Sequence, residues 1–168
     1  DPVENPMNWE SKTISEVAPP KPYEGILEET VWLLNLDMVE SQTGRIINYL
    51  YVDKSKVGNS TCAFDERNVL YSKLRPYLNK VVVPNKKGYA TTELVPLRPN
   101  QLLNREFFAS LLRSDSFVSY INDKVAGAKM PRVSMQVFRE FKCILPPIEL
   151  QTQFADFVKQ VDKSRFVT

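Results

Sequence analysis

The sequence predicts an α+β domain: a mixed, largely antiparallel twisted sheet with helices packed on it, followed by a C-terminal helix of coiled-coil type. Three observations carry this expectation. Short apolar runs rich in aromatic and β-branched residues, bounded by Pro and Gly turns, fill much of residues 30–97. From Asn104 the apolar spacing becomes that of helices. Beyond Pro146-Pro147, Leu150, Phe154, Phe157 and Val161 follow at steps of 4, 3 and 4, the spacing of a coiled-coil seam.

Thr30 to Leu36 is a strand by its compact apolar run, and Ile46 to Val52 follows as its neighbour after a turn at Thr43-Gly44. Asn68 to Leu74, Lys80 to Val83 and Leu94 to Leu97 add three more strands. Arg75-Pro76 and the turn Pro84-Asn85-Lys86-Lys87-Gly88 separate them. Pro76 has no amide donor, so it ends a strand or lies at an edge. Asn104 is placed to cap a helix showing Phe107, Phe108, Leu111 and Leu112. A second face of Phe117, Val118, Ile121 and Val125 follows a break at Ser114-Asp115-Ser116. A short helix from Ser134 carries Val137, Phe138 and Phe141 on one side and runs into a brief strand at Lys142 to Leu145. Pro147 and Glu149 suit the first turn of the last helix, because that turn needs no proline donor and its dipole favours an acid.

A chain of 168 residues with 43% hydrophobic and 25% charged residues suits one domain with one core. No apolar run approaches the roughly 18 residues of a membrane span, and the N-terminus lacks the pattern of a signal peptide. Cys62 and Cys143 stand alone, which fits reduced thiols in a cytoplasm. The net charge of +2 conceals a segregation: residues 1–43 balance at −7 and residues 44–168 at +9. Arg67 to Arg98 holds seven cations and one acid, Glu93, with Tyr71, Tyr77 and Tyr89 interleaved. A second basic stretch runs from Lys124 to Lys142. Cations alternating with flat rings suit a polyanion that carries bases, and nucleic acid is the first partner expected. A solvated sheet face is the plainer reading of the same charges.

Catalytic constellations are largely excluded. No histidine is present, which removes Ser-His-Asp triads, Cys-His pairs and most zinc sites. Five glycines form no phosphate loop. Leu145-Pro146-Pro147-Ile148 lacks the flanking residues of an adenine methyltransferase motif. Glu140-Phe141-Lys142, with Asp115 or Asp123, is the one nuclease-like string, and it lacks a further carboxylate placed to share a metal ion. The chain is expected not to be an enzyme.

Six segments then stand in a telling order: Asp1-Pro2-Val3 to Trp9; Trp32 to Val39; Val69-Leu70-Tyr71-Ser72-Lys73-Leu74-Arg75-Pro76-Tyr77-Leu78-Asn79-Lys80; Thr92 to Leu97; Gly127 to Arg132; and Leu145-Pro146-Pro147-Ile148-Glu149-Leu150-Gln151. Together they resemble the DNA-specificity subunit of type I restriction-modification enzymes. The resemblance implies one target recognition domain at 1–147 and the start of a spacer and dimerisation helix at 148–168. It implies a module that reads one half of a bipartite duplex target, in a bacterial or archaeal cytoplasm. It further implies a second recognition domain held through spacer helices, docked methyltransferase subunits and a restriction subunit in the full complex. S-adenosylmethionine and ATP would then belong to those partners, with no cofactor, metal or membrane contact here. Such subunits carry two recognition domains and this chain carries one. It is therefore expected to be a fragment or a half-subunit, and the missing initiator methionine agrees.

Roles follow from side-chain chemistry. Lys80, Lys86 and Lys87 are expected at phosphates, since a flexible ammonium supplies charge without base information. Lys73 and Arg75 are candidates for base edges, because arginine can engage both acceptors of guanine. Tyr77 either braces a sugar or base or is a half-buried sheet tyrosine. Thr91, Thr92 and Ser134 are hydroxyl donors to DNA or local caps, and Lys129 and Arg132 flank Met130-Pro131 in a second basic loop. Leu150, Phe154, Phe157 and Val161 are the expected helix interface. The alternative is a protein-assembly adaptor working through that helix, with the basic face incidental.

Overall fold

The computed structural model describes residues 1–125, Gly127 and residues 129–165. In chain order its elements are β1 (Ser11–Thr13), α1 (Ile14–Val17), β2 (Thr30–Leu34), β3 (Tyr51–Asp53), β4 (Thr61–Phe64), β5 (Val69–Ser72), β6 (Val81–Val82), β7 (Gly88–Thr91), β8 (Leu94–Leu97), α2 (Arg105–Arg113), α3 (Asp115–Asp123), α4 (Met135–Glu140), β9 (Lys142–Ile144) and α5 (Ile148–Arg165). The α+β class holds, with pairing that is antiparallel apart from β2 and β7.

The strands divide among three sheets, ordered β3-β2-β7-β4, β6-β5-β8 and β1-β9. The three-stranded sheet is the middle layer. On one face Val69, Tyr71, Val81, Val95 and Leu97 join a core with Phe108, Leu112, Phe117, Ile121 and Phe138 from the helices. On the other, Leu70, Val82 and Leu94 meet Trp32, Leu34, Phe64 and Ala90 of the four-stranded sheet. Burial on both faces explains why Val69 to Ser72 and Leu94 to Leu97 are apolar without strict alternation. It also divides the expected single core in two.

The helix boundaries lie where side chains cap them. Asn104 Oδ1 accepts from Phe107 N at 2.9 Å and opens α2. Ser114 Oγ accepts from Phe117 N at 3.3 Å and opens α3, so the break at Ser114 separates two helices. Ser134 Oγ accepts from Val137 N at 3.4 Å and opens α4. Phe138 of that helix stacks on Tyr71 at 4.5 Å, and Phe117 meets Phe141 edge-on at 4.8 Å.

The segment Ile46 to Val52 differs most from expectation. Only its end is strand: β3 begins at Tyr51, while Ile46 bridges Val39 and Ile47 N donates to Met38 O at 2.7 Å. Ile47 is 61% exposed and Tyr49 49%, so this apolar run lines surface instead of core. Strands β1, β4 and β7 were not expected. The first is a polar tripeptide made a strand by pairing with β9, where the Lys142 to Leu145 strand was expected. The last sits between β2 and β4, and Gly88 makes that possible: a Cβ there would lie 2.7 Å from Trp32 O.

Candidate nucleic-acid interface

Arg75 stands on a left-handed turn. Its φ and ψ are 50° and 66°, and Asn79, four residues on, is also left-handed at 52° and 54°. Between them Pro76–Leu78 forms one 3₁₀ turn, started by the fixed φ of Pro76. The turn is pinned on both sides. Arg75 N donates to Pro131 O at 2.7 Å, Gln42 N donates to Leu78 O at 3.0 Å, and Asn79 Nδ2 donates to Arg113 O at 3.0 Å. Tyr77 is left 44% exposed on this turn, outside any strand. The Arg75 side chain is half-buried, its Nε is fully buried, and it has no hydrogen-bond or ion-pair partner among the described residues.

Other expected residues gather beside that turn. Lys73 N donates to Glu93 O at 3.0 Å, Val133 N donates to Lys73 O at 2.8 Å, and Leu74 bridges Arg132. Arg132 Nη2 reaches Glu93 Oε1 at 2.8 Å, and this contact, with its charge and that of Lys73, holds the Glu93 carboxyl below its ordinary range. Arg132 is thus engaged by an acid that any anion must displace. Thr91 closes β7 opposite Thr61, and Thr92 N donates to Ser60 O at 3.2 Å, so the two threonines shape the turn into β8. Ser134 is committed to its cap. Lys129 is exposed, and its neighbour Ala128 in the expected landmark lies outside the described residues.

A second group forms at the Gly88 end of β7, about 10 Å along the strand from Thr91 at the usual rise. Lys86 Nζ lies 5.5 Å from the Trp32 ring centroid and 4.8 Å from those of both Tyr49 and Tyr51, and it also donates to the Tyr51 hydroxyl. The two tyrosine rings are near-parallel, 11° apart at 6.5 Å. Lys87 lies 4.9 Å from the Tyr23 ring, and its pKa is raised by a hydrogen bond with that tyrosine. Sequence reasoning missed Tyr23, Trp32, Tyr49 and Tyr51. A signal was present: residues two apart in an extended segment point the same way, so Tyr49 and Tyr51 share a face.

Lys80 corrects an expectation. Its Nζ donates to Leu36 O at 2.7 Å, and burial lowers its pKa against the pull of Asp37. It is a half-buried brace between the start of β6 and the Leu36–Met38 turn, and one of its donors is already taken.

Helix α5 docks through Gln151 and Ala155, which are 0% and 2% exposed. Gln151 Nε2 donates to Leu102 O at 3.0 Å and Pro146 O at 2.8 Å, and its Oε1 accepts from Asn104 N at 2.8 Å. That docking turns the expected stripe outward: Leu150 is 46% exposed, Phe154 43%, Phe157 63% and Val161 37%. Phe154 meets Phe107 edge-on at 5.8 Å above an apolar groove of about 410 Å³ that Trp9 and Ile144 also line. Residues 166–168 of the expected 148–168 helix lie outside the described residues. Among the described residues, no three acidic or thiol side chains cluster to hold a metal, and no helix is long and apolar enough to cross a membrane. Cys62 and Cys143 are free, and burial pushes the Cys143 thiol up to about 12.

These features define a binding domain: a layered α+β body with a cationic, tyrosine-bearing surface and a docked helix whose outer edge is uncovered. Residues 6–166 match the family model of the type I restriction modification DNA specificity domain, and the chain belongs to that family, a non-catalytic component of type I restriction-modification. It is 23% identical over 123 residues to the type I restriction enzyme EcoDI specificity subunit of Escherichia coli, spanning 73% of this chain and 27% of that one. The fold is that of solved HsdS-type structures. The HsdS subunit of Thermoanaerobacter tengcongensis superposes with a TM-score of 0.77 at 19% identity, covering 96% of this chain and 44% of that one. A type I R-M system structure gives 0.78 at 18% identity over the same shares. The S subunit of M. genitalium gives 0.59 at 15%, covering 95% of this chain and 40% of that one. The chain therefore spans less than half the length of these relatives.

Proposed function

We propose that residues 1–147 read one half of a bipartite duplex DNA target and that the helix from 148 joins this reader to a second recognition domain and to methyltransferase subunits. In a full complex a restriction subunit joins them, in a bacterial or archaeal cytoplasm. S-adenosylmethionine and ATP act on the partners, and this chain contributes sequence choice. The observation that carries the reading is Arg75, a half-buried arginine on a left-handed turn, with no hydrogen-bond or ion-pair partner for its side chain among the described residues. A charge in that setting is costly until an acceptor completes it, and DNA presents acceptors both on phosphates and in the major groove. Lys73 and Tyr77 extend the same surface, with Lys129 and Arg132 beside it. Lys87 supplies a phosphate contact at the far end of β7.

The exposed stripe on α5 supports an assembly role within the same protein. Four large apolar side chains at seam spacing suit a second helix. The test of DNA reading is a salt series. Binding to a random-sequence duplex should weaken with a log–log slope of about −3 to −5, as expected for several neutralised phosphates at close to one unit each. A flat response would leave only the adaptor reading.

A further inference from the structure

Lys86 belongs to a loop, Pro84 to Lys87, and the usual lysine of such a loop is a mobile charge on a four-carbon stem. Here three rings surround it. Trp32 is 2% exposed and so fixed in the core, and it anchors Tyr49 at 5.3 Å between ring centroids. Tyr49 in turn stacks with Tyr51, and the ammonium sits within 5.5 Å of all three rings while donating to the Tyr51 hydroxyl. Gly88, where no Cβ fits against Trp32 O, brings the backbone after Lys86 directly onto this box. Tyr49 and Tyr51 remain 49% and 48% exposed, so the held ammonium lies at the surface with an open approach.

We infer that Trp32, Tyr49 and Tyr51 are positioning residues that fix Lys86 as a reader of a base edge, the acceptors of a guanine in the major groove. This rests on the DNA-reading proposal above and names a site within it. A phosphate contact gains little from such a box, because phosphates tolerate a flexible partner. Discrimination between bases needs a donor at a fixed place, and the box supplies it before DNA arrives. Rings at the rim also exclude water from the contact, which strengthens the preference for the correct acceptor.

The test is selection from a randomised duplex library with the full chain, paired with a salt series for each variant. Lys86→Ala should flatten the preference at one G·C pair by roughly tenfold while leaving the salt slope unchanged. Tyr49→Leu and Tyr51→Leu together, with Lys86 intact, should flatten the same pair, and adding Lys86→Ala to them should change nothing more. Both tyrosines are half exposed, and the single Tyr51→Phe substitution, which keeps the ring and removes the hydroxyl, should give an intermediate loss. Three outcomes overturn the inference: a salt slope lowered by about one with the preference intact, which marks a phosphate contact; a full preference in the tyrosine variants; or no sequence enriched by the parent chain. If the parent binds DNA with steep salt dependence and Lys86 has no effect, only this inference falls. A salt-insensitive parent strikes the reading beneath it.

Discussion

Arg75→Glu is expected to abolish duplex binding, lowering affinity by at least about 100-fold, while leaving the unfolding midpoint at that of the parent. The size follows from removing one cation and adding one anion at an arginine whose side chain has no partner among the described residues. The unchanged stability follows because the Arg75 side chain makes no hydrogen bond or ion pair that folding depends on, and because glutamate bears the same left-handed backbone cost as arginine. A companion substitution separates charge from conformation. Arg75→Gly should bind DNA weakly and yet raise stability by about 1 kcal/mol, because glycine alone adopts a φ near 50° without steric cost. A position where glycine is the more stable residue and arginine is present is one whose side chain acts outside the fold. Electrophoretic or fluorescence titration beside urea unfolding measures both halves. Unchanged binding in Arg75→Glu would show that the DNA surface lies elsewhere.

Gln151→Leu is expected to cost about 3 kcal/mol, the largest stability effect of a single substitution in the docking of α5. Leucine nearly matches the volume of glutamine, so packing is kept and three polar groups lose their partners: Asn104 N, Leu102 O and Pro146 O. Each is held by one buried amide; the Pro146 carbonyl is buried and carries most of the loss, at about 1–3 kcal/mol for a buried group without a partner, while the part-buried Asn104 N and Leu102 O add the rest. The damage is shared between two helices, because Asn104 caps α2 while Gln151 stands in the first turns of α5. Urea unfolding should show a lower midpoint with an unchanged slope. A loss below about 1 kcal/mol would mean that α5 is held by Ala155 and the Lys159–Glu106 pair at 3.4 Å instead.

The parts of the fold legible in the sequence are those decided locally. Asn104, Ser114 and Ser134 each begin a helix because a side-chain oxygen reaches an amide three residues on, and the apolar stripe on α5 follows from spacing, although its outward direction comes from the Gln151 docking. What was not legible depends on distant partners. Gly88 to Thr91 is short and opens on glycine, yet β2 and β4, both far off in sequence, make it the centre of a sheet. Ile46 to Tyr51 is as apolar as a core strand and lies at the surface. The candidate site divides in the same way. That Arg75 and Tyr77 lie on an unusual turn could be suspected from Pro76, but a lysine's role depends on which oxygen or ring stands within reach. Leu36 O draws Lys80 inward, Glu93 occupies Arg132, and three rings surround Lys86. None of these partners is near in sequence.

The most direct test of the central claim, that this domain chooses the DNA sequence, is to assemble the chain with methyltransferase subunits and a second recognition domain and to map methylated adenines across a long random duplex. Every modified site should share one short half-sequence at a fixed distance from the other half, and Arg75→Glu should erase that half alone. Modified adenines sharing no half-sequence dependent on this chain would contradict it.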